Sequence, residues 1–250
     1  MSKLIKFELR NILKQKSFLI CLIISNALVI IGILASNLLN KMAEQAGGAD
    51  ILLGVNAFDT LLGYLSGGNI TLLLAIVISI YFGSSASDGT IKNIIAKGYK
   101  RSDFFIAKVM GAIIATLIFI ITSIIFNYLL CLIMGITINS ISLDHIIKIG
   151  ITSLAIIAEI IMFSSLSFII FKTSANIVAN ICIPMLLPLV LTIADILLKT
   201  KIKIADFWIE NTNALVTNNS KFLFILLVSL CYILIFGILG VVLTKRKEIK

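Results

Sequence analysis

Charge is what this chain has least of: 13% of its 250 residues are Asp, Glu, Lys or Arg, where an ordinary soluble domain carries about 25%. Two prolines, one tryptophan and one histidine are equally sparse. Such a composition excludes a soluble domain of ordinary make-up. The lone His145, beside Asp144, has no second ligand near it in sequence and makes no zinc site. The four cysteines, Cys21, Cys131, Cys182 and Cys231, each sit inside an apolar run with no C-x-x-C pair. They read as small buried hydrophobes. Serine chemistry needs a nucleophile and a base together. Ser66, in the stretch from Gly63 to Gly68, is paired with none. G-x-x-x-x-G-K-[ST] occurs nowhere, so the chain has no P-loop with which to bind and split ATP. If ATP powers its work, another polypeptide supplies the motor.

What is present is apolar. Hydrophobic residues make up 60% of the chain, and the mean hydropathy is +1.13. The excess falls in long, nearly charge-free runs. A membrane-crossing helix needs about 20 such residues. Barrel strands would alternate polar and apolar residues, whereas Leu72–Ile80 and Leu223–Val228 are solidly apolar. Backbone groups in lipid must bond within their own segment, so the runs are expected to be helices. The expected fold is an all-α polytopic membrane protein, a single transmembrane domain over 1–250 with six spans at 17–39, 69–86, 106–134, 146–171, 175–198 and 221–243. The first run is too long for a signal peptide and lacks a small-residue cleavage site. With both termini inside, fifteen Lys and Arg residues fall on the cytoplasmic side and six outside. The positive-inside rule favours that orientation, which also suits an even number of spans. The net charge of +9 then needs no nucleic acid, because the cytoplasmic leaflet is anionic.

The polar exceptions carry the functional reading. Residues 1–16 place Leu4, Ile5, Leu9, Ile12 and Leu13 on one helical face, with Lys3, Lys6, Arg10 and Lys14 mostly off it. This is an interfacial helix, either a topology anchor or a partner contact. Residues 87–105 are the most polar internal stretch. Asp88 or Thr90 is suited to cap a short helix, Ile91, Ile94 and Ile95 share a face, and Gly98 is a natural stop. Ser102 and Asp103 are then placed to cap the helix that follows. The short helix either lies on lipid or docks a soluble partner. Glu159 falls mid-run in the fourth span, where a carboxylate is costly. It either lines a pathway or hydrogen-bonds a neighbouring helix. Asp195 lies near the outer boundary and is expected to be solvated. Pro184 and Pro188 interrupt the fifth run. Either one helix bends there, or the span ends and Leu189–Leu198 dips back into the outer leaflet. Residues 40–68 read as a Gly-rich outer loop. Asn69-Ile70-Thr71 and Asn218-Asn219-Ser220 match the glycosylation pattern, which is common by chance.

Asp88-Gly89-Thr90-Ile91-Lys92-Asn93, followed by Gly98-Tyr99-Lys100-Arg101 and Lys108, resembles the coupling segment in permease subunits of the second exporter class of ABC transporters. The likeness extends over the whole length: an amphipathic start, six spans and both ends inside. It implies that the segment, through Asp88, Gly89, Thr90, Ile91, Ile94, Ile95, Lys97 and Arg101, docks on a separate ATPase subunit. That subunit would carry ATP and Mg, with no cofactor or metal on this chain. It further implies two ATPase copies, a second permease as homodimer or related heterodimer, and a bacterial cell membrane. Short re-entrant helices at Leu189–Leu198 and Ala205–Leu215 are also implied. The brief loops are similar to those of bacteriocin self-immunity and amphiphilic peptide export permeases, so the expected cargo is an amphiphilic peptide or antibiotic-like molecule. The alternative is a non-transporting membrane assembly or sensor protein, which has no need of the capped helix.

Overall fold

A computed structural model describes residues 1–45, 56–87, 89–136, 142–170, 172–198, 203–217 and 221–246. Among these the chain is all helical, with no strand. The order is α1 (Ser2–Leu13), α2 (Lys16–Gln45), α3 (Ala57–Ser66), α4 (Asn69–Ser87), α5 (Thr90–Ala96), α6 (Arg101–Met134), α7 (Leu143–Ile170), α8 (Thr173–Leu198), α9 (Ile209–Ala214) and α10 (Phe222–Arg246). Two 3-10 turns, Ile204–Phe207 and Leu215–Thr217, flank α9.

Five helices are long and apolar enough to cross a membrane: Lys16–Leu39, Arg101–Met134, Leu143–Ile170, Thr173–Leu198 and Phe222–Thr244. A sixth crossing requires α3 and α4 together, Ala57–Ser66 with Asn69–Ser85, bent by 44° at their junction. At 34 residues, α6 is about 50 Å long and outreaches the roughly 30 Å hydrocarbon layer. It begins at Arg101 rather than 106, so the end of the expected 87–105 segment is its first turn.

The bundle is built around α7. Its mid-section is buried on all sides, from Ala155 to Phe168, against α4, α6, α8 and α10. By contrast α8 and α10 sit at the periphery and present Leu186, Val190, Ile193, Leu227, Leu234 and Ile238 outward. Exposed leucine and isoleucine on this scale suit lipid or another apolar surface, not water. Between helices the cement is polar and small. Ser165 Oγ lies 2.7 Å from the Phe236 carbonyl, tying α7 to α10. Asn180 Nδ2 donates to Ser79 and Ser167 at 2.9 and 2.8 Å, joining α8 to α4 and α7. Such bonds contribute about 0.6 kcal/mol each on average in membranes.

Three expectations are corrected. The stretch 40–68 is not simply a loop. Ala57, Phe58, Leu61, Leu62 and Leu65 recur at helical spacing and are all buried, forming α3. Asn127 of α6 donates to the Ala57 carbonyl at 2.7 Å, and Tyr64 meets Ser25 of α2 at 2.6 Å. The fifth run is one helix through both prolines to Leu198, so Leu189–Leu198 continues α8 and does not turn back. Asp195 is not merely solvated: its carboxylate accepts the backbone N–H groups of Ile204 and Ala205, each at 2.8 Å, and so fixes the first 3-10 turn.

Close approach of α4 to α8 requires a glycine. A β-carbon on Gly83 would lie 2.6 Å from Thr173 Cα, a backbone atom that cannot rotate away. Gly237 on α10 faces open space. Gly83→Ala is therefore expected to cost about 1–3 kcal/mol through overpacking. Gly237→Ala should be neutral or slightly stabilising, since alanine favours a helix by up to about 1 kcal/mol. Thermal unfolding of the two variants in detergent compares them directly.

Candidate functional site

The polar segment between α4 and α6 forms at one end of the bundle. Asp88, expected to cap it, lies outside the described residues. Gly89 holds the junction with φ at 65°, in the left-handed region, which glycine adopts freely. The expected Thr90 cap is absent: Thr90 is the first helical residue and no side chain caps α5. Seven residues later the helix stops at Lys97, and Gly98 turns the chain with φ at 86°. Its N–H donates to the Ile95 carbonyl at 2.9 Å. Lys100, extended at ψ 148°, takes the capping position expected of Ser102 or Asp103, and no side-chain bond caps α6. Asp103 instead sits in the first turn, where its negative charge suits the helix dipole.

The isoleucine face turns inward. Ile91 and Ile94 are buried in the chain's own core, and Ile95 packs against it. Burial of these side chains contributes about 1.5–3 kcal/mol each. That binds α5 to the bundle rather than to a partner. What remains outward is Asn93, Ala96, Lys97, Gly98 and Lys100, all exposed, with Arg101 half-exposed at the base of α6.

Where α1 meets the two helices that flank α5 lies a buried ion pair that spacing alone does not reveal. Glu8 of α1 and Lys108 of α6 are both fully buried, with Nζ 3.5 Å from Oε2. Tyr81 of α4 completes the group. Its hydroxyl donates to Glu8 Oε2 at 2.7 Å, and its carbonyl accepts from Lys108 Nζ at 2.9 Å. The ammonium also lies 3.6 Å from the Tyr81 ring centroid. Three helices thus meet at one charge pair, at the roots of both helices that flank α5. The signal was available in two forms. Glu8 is the only acid among the first sixteen residues, and it shares the i, i+4 row with Leu4 and Ile12, which are buried too.

Glu159 is buried in mid-α7, 2% exposed, and its Oε1 accepts no hydrogen bond from the described residues. It lines a small internal cavity with Glu210 of α9. Burial pushes the Glu210 carboxyl above its usual range. His145 stacks on Phe58 at 4.0 Å between ring centroids, an apolar packing contact. Ser66 hydrogen-bonds the Leu62 carbonyl of its own helix. Among the described residues no group of three or more His, Cys, Asp and Glu could hold a metal ion. Neither a family model, a characterised protein nor a solved structure matches the chain.

The packing sets two expectations. Lys108→Met leaves Glu8 buried without its partner and should cost about 3–5 kcal/mol, whereas Glu8→Leu with Lys108→Met should restore most of the loss. A double-mutant cycle of unfolding midpoints measures the coupling; additive losses would show that the pair does not interact. Ile94→Asp drives a charge into the chain's own core and should lower the unfolding midpoint of the isolated protein, with no partner present.

Proposed function

We propose that the chain is the membrane-spanning permease subunit of an ATP-driven exporter of the second ABC class. In this reading it works with a separate ATPase subunit, in two copies per assembly, and pairs with a second permease as homodimer or related heterodimer. Its cargo is an amphiphilic peptide or antibiotic-like molecule, moved out of a bacterial cell or its membrane. Both termini and α5 face the cytoplasm, following the Lys and Arg distribution.

The observation that carries this reading is the construction of α5. A lone seven-residue helix is far too short to be stable by itself in water. Here two isoleucines root it in the core, and it bridges the ends of α4 and α6. Its outward surface is small and basic. A helix held this way moves only with the two long helices it joins. It is therefore suited to carry a push from a soluble motor into the bundle. The Glu8–Tyr81–Lys108 group supports the same mechanism, because it makes the roots of α1, α4 and α6 one unit. ATP binding would close the motor domains and shift the dimer between inward- and outward-facing populations through its differential affinity for them.

The test uses residues whose side chains are exposed. Lys97→Glu with Lys100→Glu reverses two exposed charges and should leave expression and unfolding midpoint unchanged. In cells that make the cognate ATPase, the variant should lose co-purification of that subunit by about tenfold or more, since like charges in a contact cost several kcal/mol. Undiminished co-purification would remove α5 from the interface. No co-purification of an ATPase with the native chain would favour the non-transporting alternative.

A further inference from the structure

The far end of the bundle contains a second charged site, which the exporter reading does not use. Glu159 of α7, Glu210 of α9, Asn180 of α8 and Thr71 of α4 line one small, partly open pocket of about 30 Å³, with the exposed Leu72 and Met185 at its edge. That volume admits one or two water-sized bodies and excludes a peptide.

The lining is rich in oxygen acceptors and poor in donors to them. Asn180 is 1% exposed and its amide orientation is fixed. Ser79 donates its own proton to the Ala75 carbonyl at 2.6 Å, so toward Asn180 it can only accept. The amide nitrogen therefore faces Ser79 and Ser167. Asn180 Oδ1 is left with no hydrogen-bond donor, as is Glu159 Oε1. Both residues line the cavity, and both atoms are oxygen acceptors. Two prolines add to this supply. Pro184 has no N–H to give the Asn180 carbonyl four residues earlier, and Pro188 has none for Pro184. Asn180 and Pro184 both line the cavity. Glu210 is held close by Gly68, at φ 77°, where any β-carbon would collide with its Oε1. No Lys, Arg or His is among the described residues lining the cavity. Two carboxyl groups in such a place are either kept neutral by protons or balanced by positive charge from elsewhere.

We propose that this cavity binds one small, hard metal cation of the sodium or calcium kind, with Glu159, Asn180 and Glu210 as oxygen ligands. Hard cations select carboxylate and carbonyl oxygens. Bound there, the ion would draw α7, α8 and α9 onto the start of α4, closing the α9 end of the bundle much as the ion pair closes the other.

Trp208, the only tryptophan, is buried two residues before Glu210 and reports on the site without a label. The full chain in nanodiscs, freed of metal, is titrated with sodium chloride and with calcium chloride. Choline chloride at matched ionic strength is the control. A saturable change in Trp208 emission and a rise in unfolding midpoint are expected with one of the two metals and not with choline. Which salt acts assigns the ion. Glu159→Gln and Glu210→Gln should each raise the half-saturating concentration about tenfold or more, a loss expected when a metal site is disturbed. If Glu159→Gln does not fold, the half-buried Glu210→Gln decides alone. The proposal is overturned by any of three results: no saturable response to either metal, an equal response to choline, or unchanged half-saturation in the folded variants. A response to pH alone, with none to metal, likewise overturns it in favour of a proton.

Discussion

One buried ion pair constrains an entire end of this protein. Glu8 and Lys108 are far apart in sequence, yet neither has water and each is the other's counter-ion. The two charges carry a desolvation penalty of several kcal/mol each, which their attraction offsets only while the geometry holds. α1 therefore cannot drift from α6 without stranding a charge. Tyr81 extends the constraint to α4 by giving the carboxylate a proton donor and the ammonium a carbonyl. Once α4 and α6 are registered against α1, the path left for residues 89–100 is short. α5 fills it with Ile91 and Ile94 inward.

The same logic explains why α7, not a helix near either terminus, is the axis of the bundle. Glu159, Ser164, Ser165 and Ser167 give it polar atoms along the buried section. In lipid such atoms have no water, so helices with matching groups must surround them. Phe236 of α10 answers Ser165 with a carbonyl, and Asn180 of α8 answers Ser167 with an amide. Peripheral α8 and α10 can then be almost wholly apolar on their outer faces, because their polar duties are discharged on the inner one.

Legibility in the sequence followed the physics of each element. The long apolar runs were plain, because nothing but a helix satisfies so many backbone groups without water. The stop at Gly98 was plain too, since a positive φ at a helix end selects glycine. α3 was overlooked because Gly63, Gly67 and Gly68 dominated the reading of 57–68, although Phe58, Leu61, Leu62 and Leu65 carried a helical period. The prolines of α8 leave open in the sequence whether one helix bends or the span ends; the structure has one helix. α8 runs through both, with Pro184 buried and Pro188 half-buried, and each leaves one carbonyl of the preceding turn without its helical N–H. The direction of the isoleucine face is not legible from spacing. Spacing shows that Ile91, Ile94 and Ile95 lie together on α5, but a three-residue stripe does not say whether it meets its own bundle or another protein. That depends on how α4 and α6 are placed, and contacts outside the segment, such as Glu8 with Tyr81 and Lys108, bear on it.

The two ends of the bundle solve opposite electrostatic problems. At the α5 end a carboxylate and an ammonium from the same chain neutralise each other, although Glu8 Oε1 is left without a hydrogen-bond donor among the described residues. At the α9 end two carboxylates converge with orphaned oxygens of Asn180 and Glu159, and the chain brings no cation of its own to the described lining. One end thus balances its charge from within the chain, while the proposed cation would balance the other. In the proposed permease this asymmetry would separate a charge-locked end from one that depends on a ligand. Motion imposed at α5 would pass along α4 and α6 without loss, since their roots are locked. The compliance would be concentrated where α3, α4, α7, α8 and α9 meet, around a charge balance that the protein alone does not close.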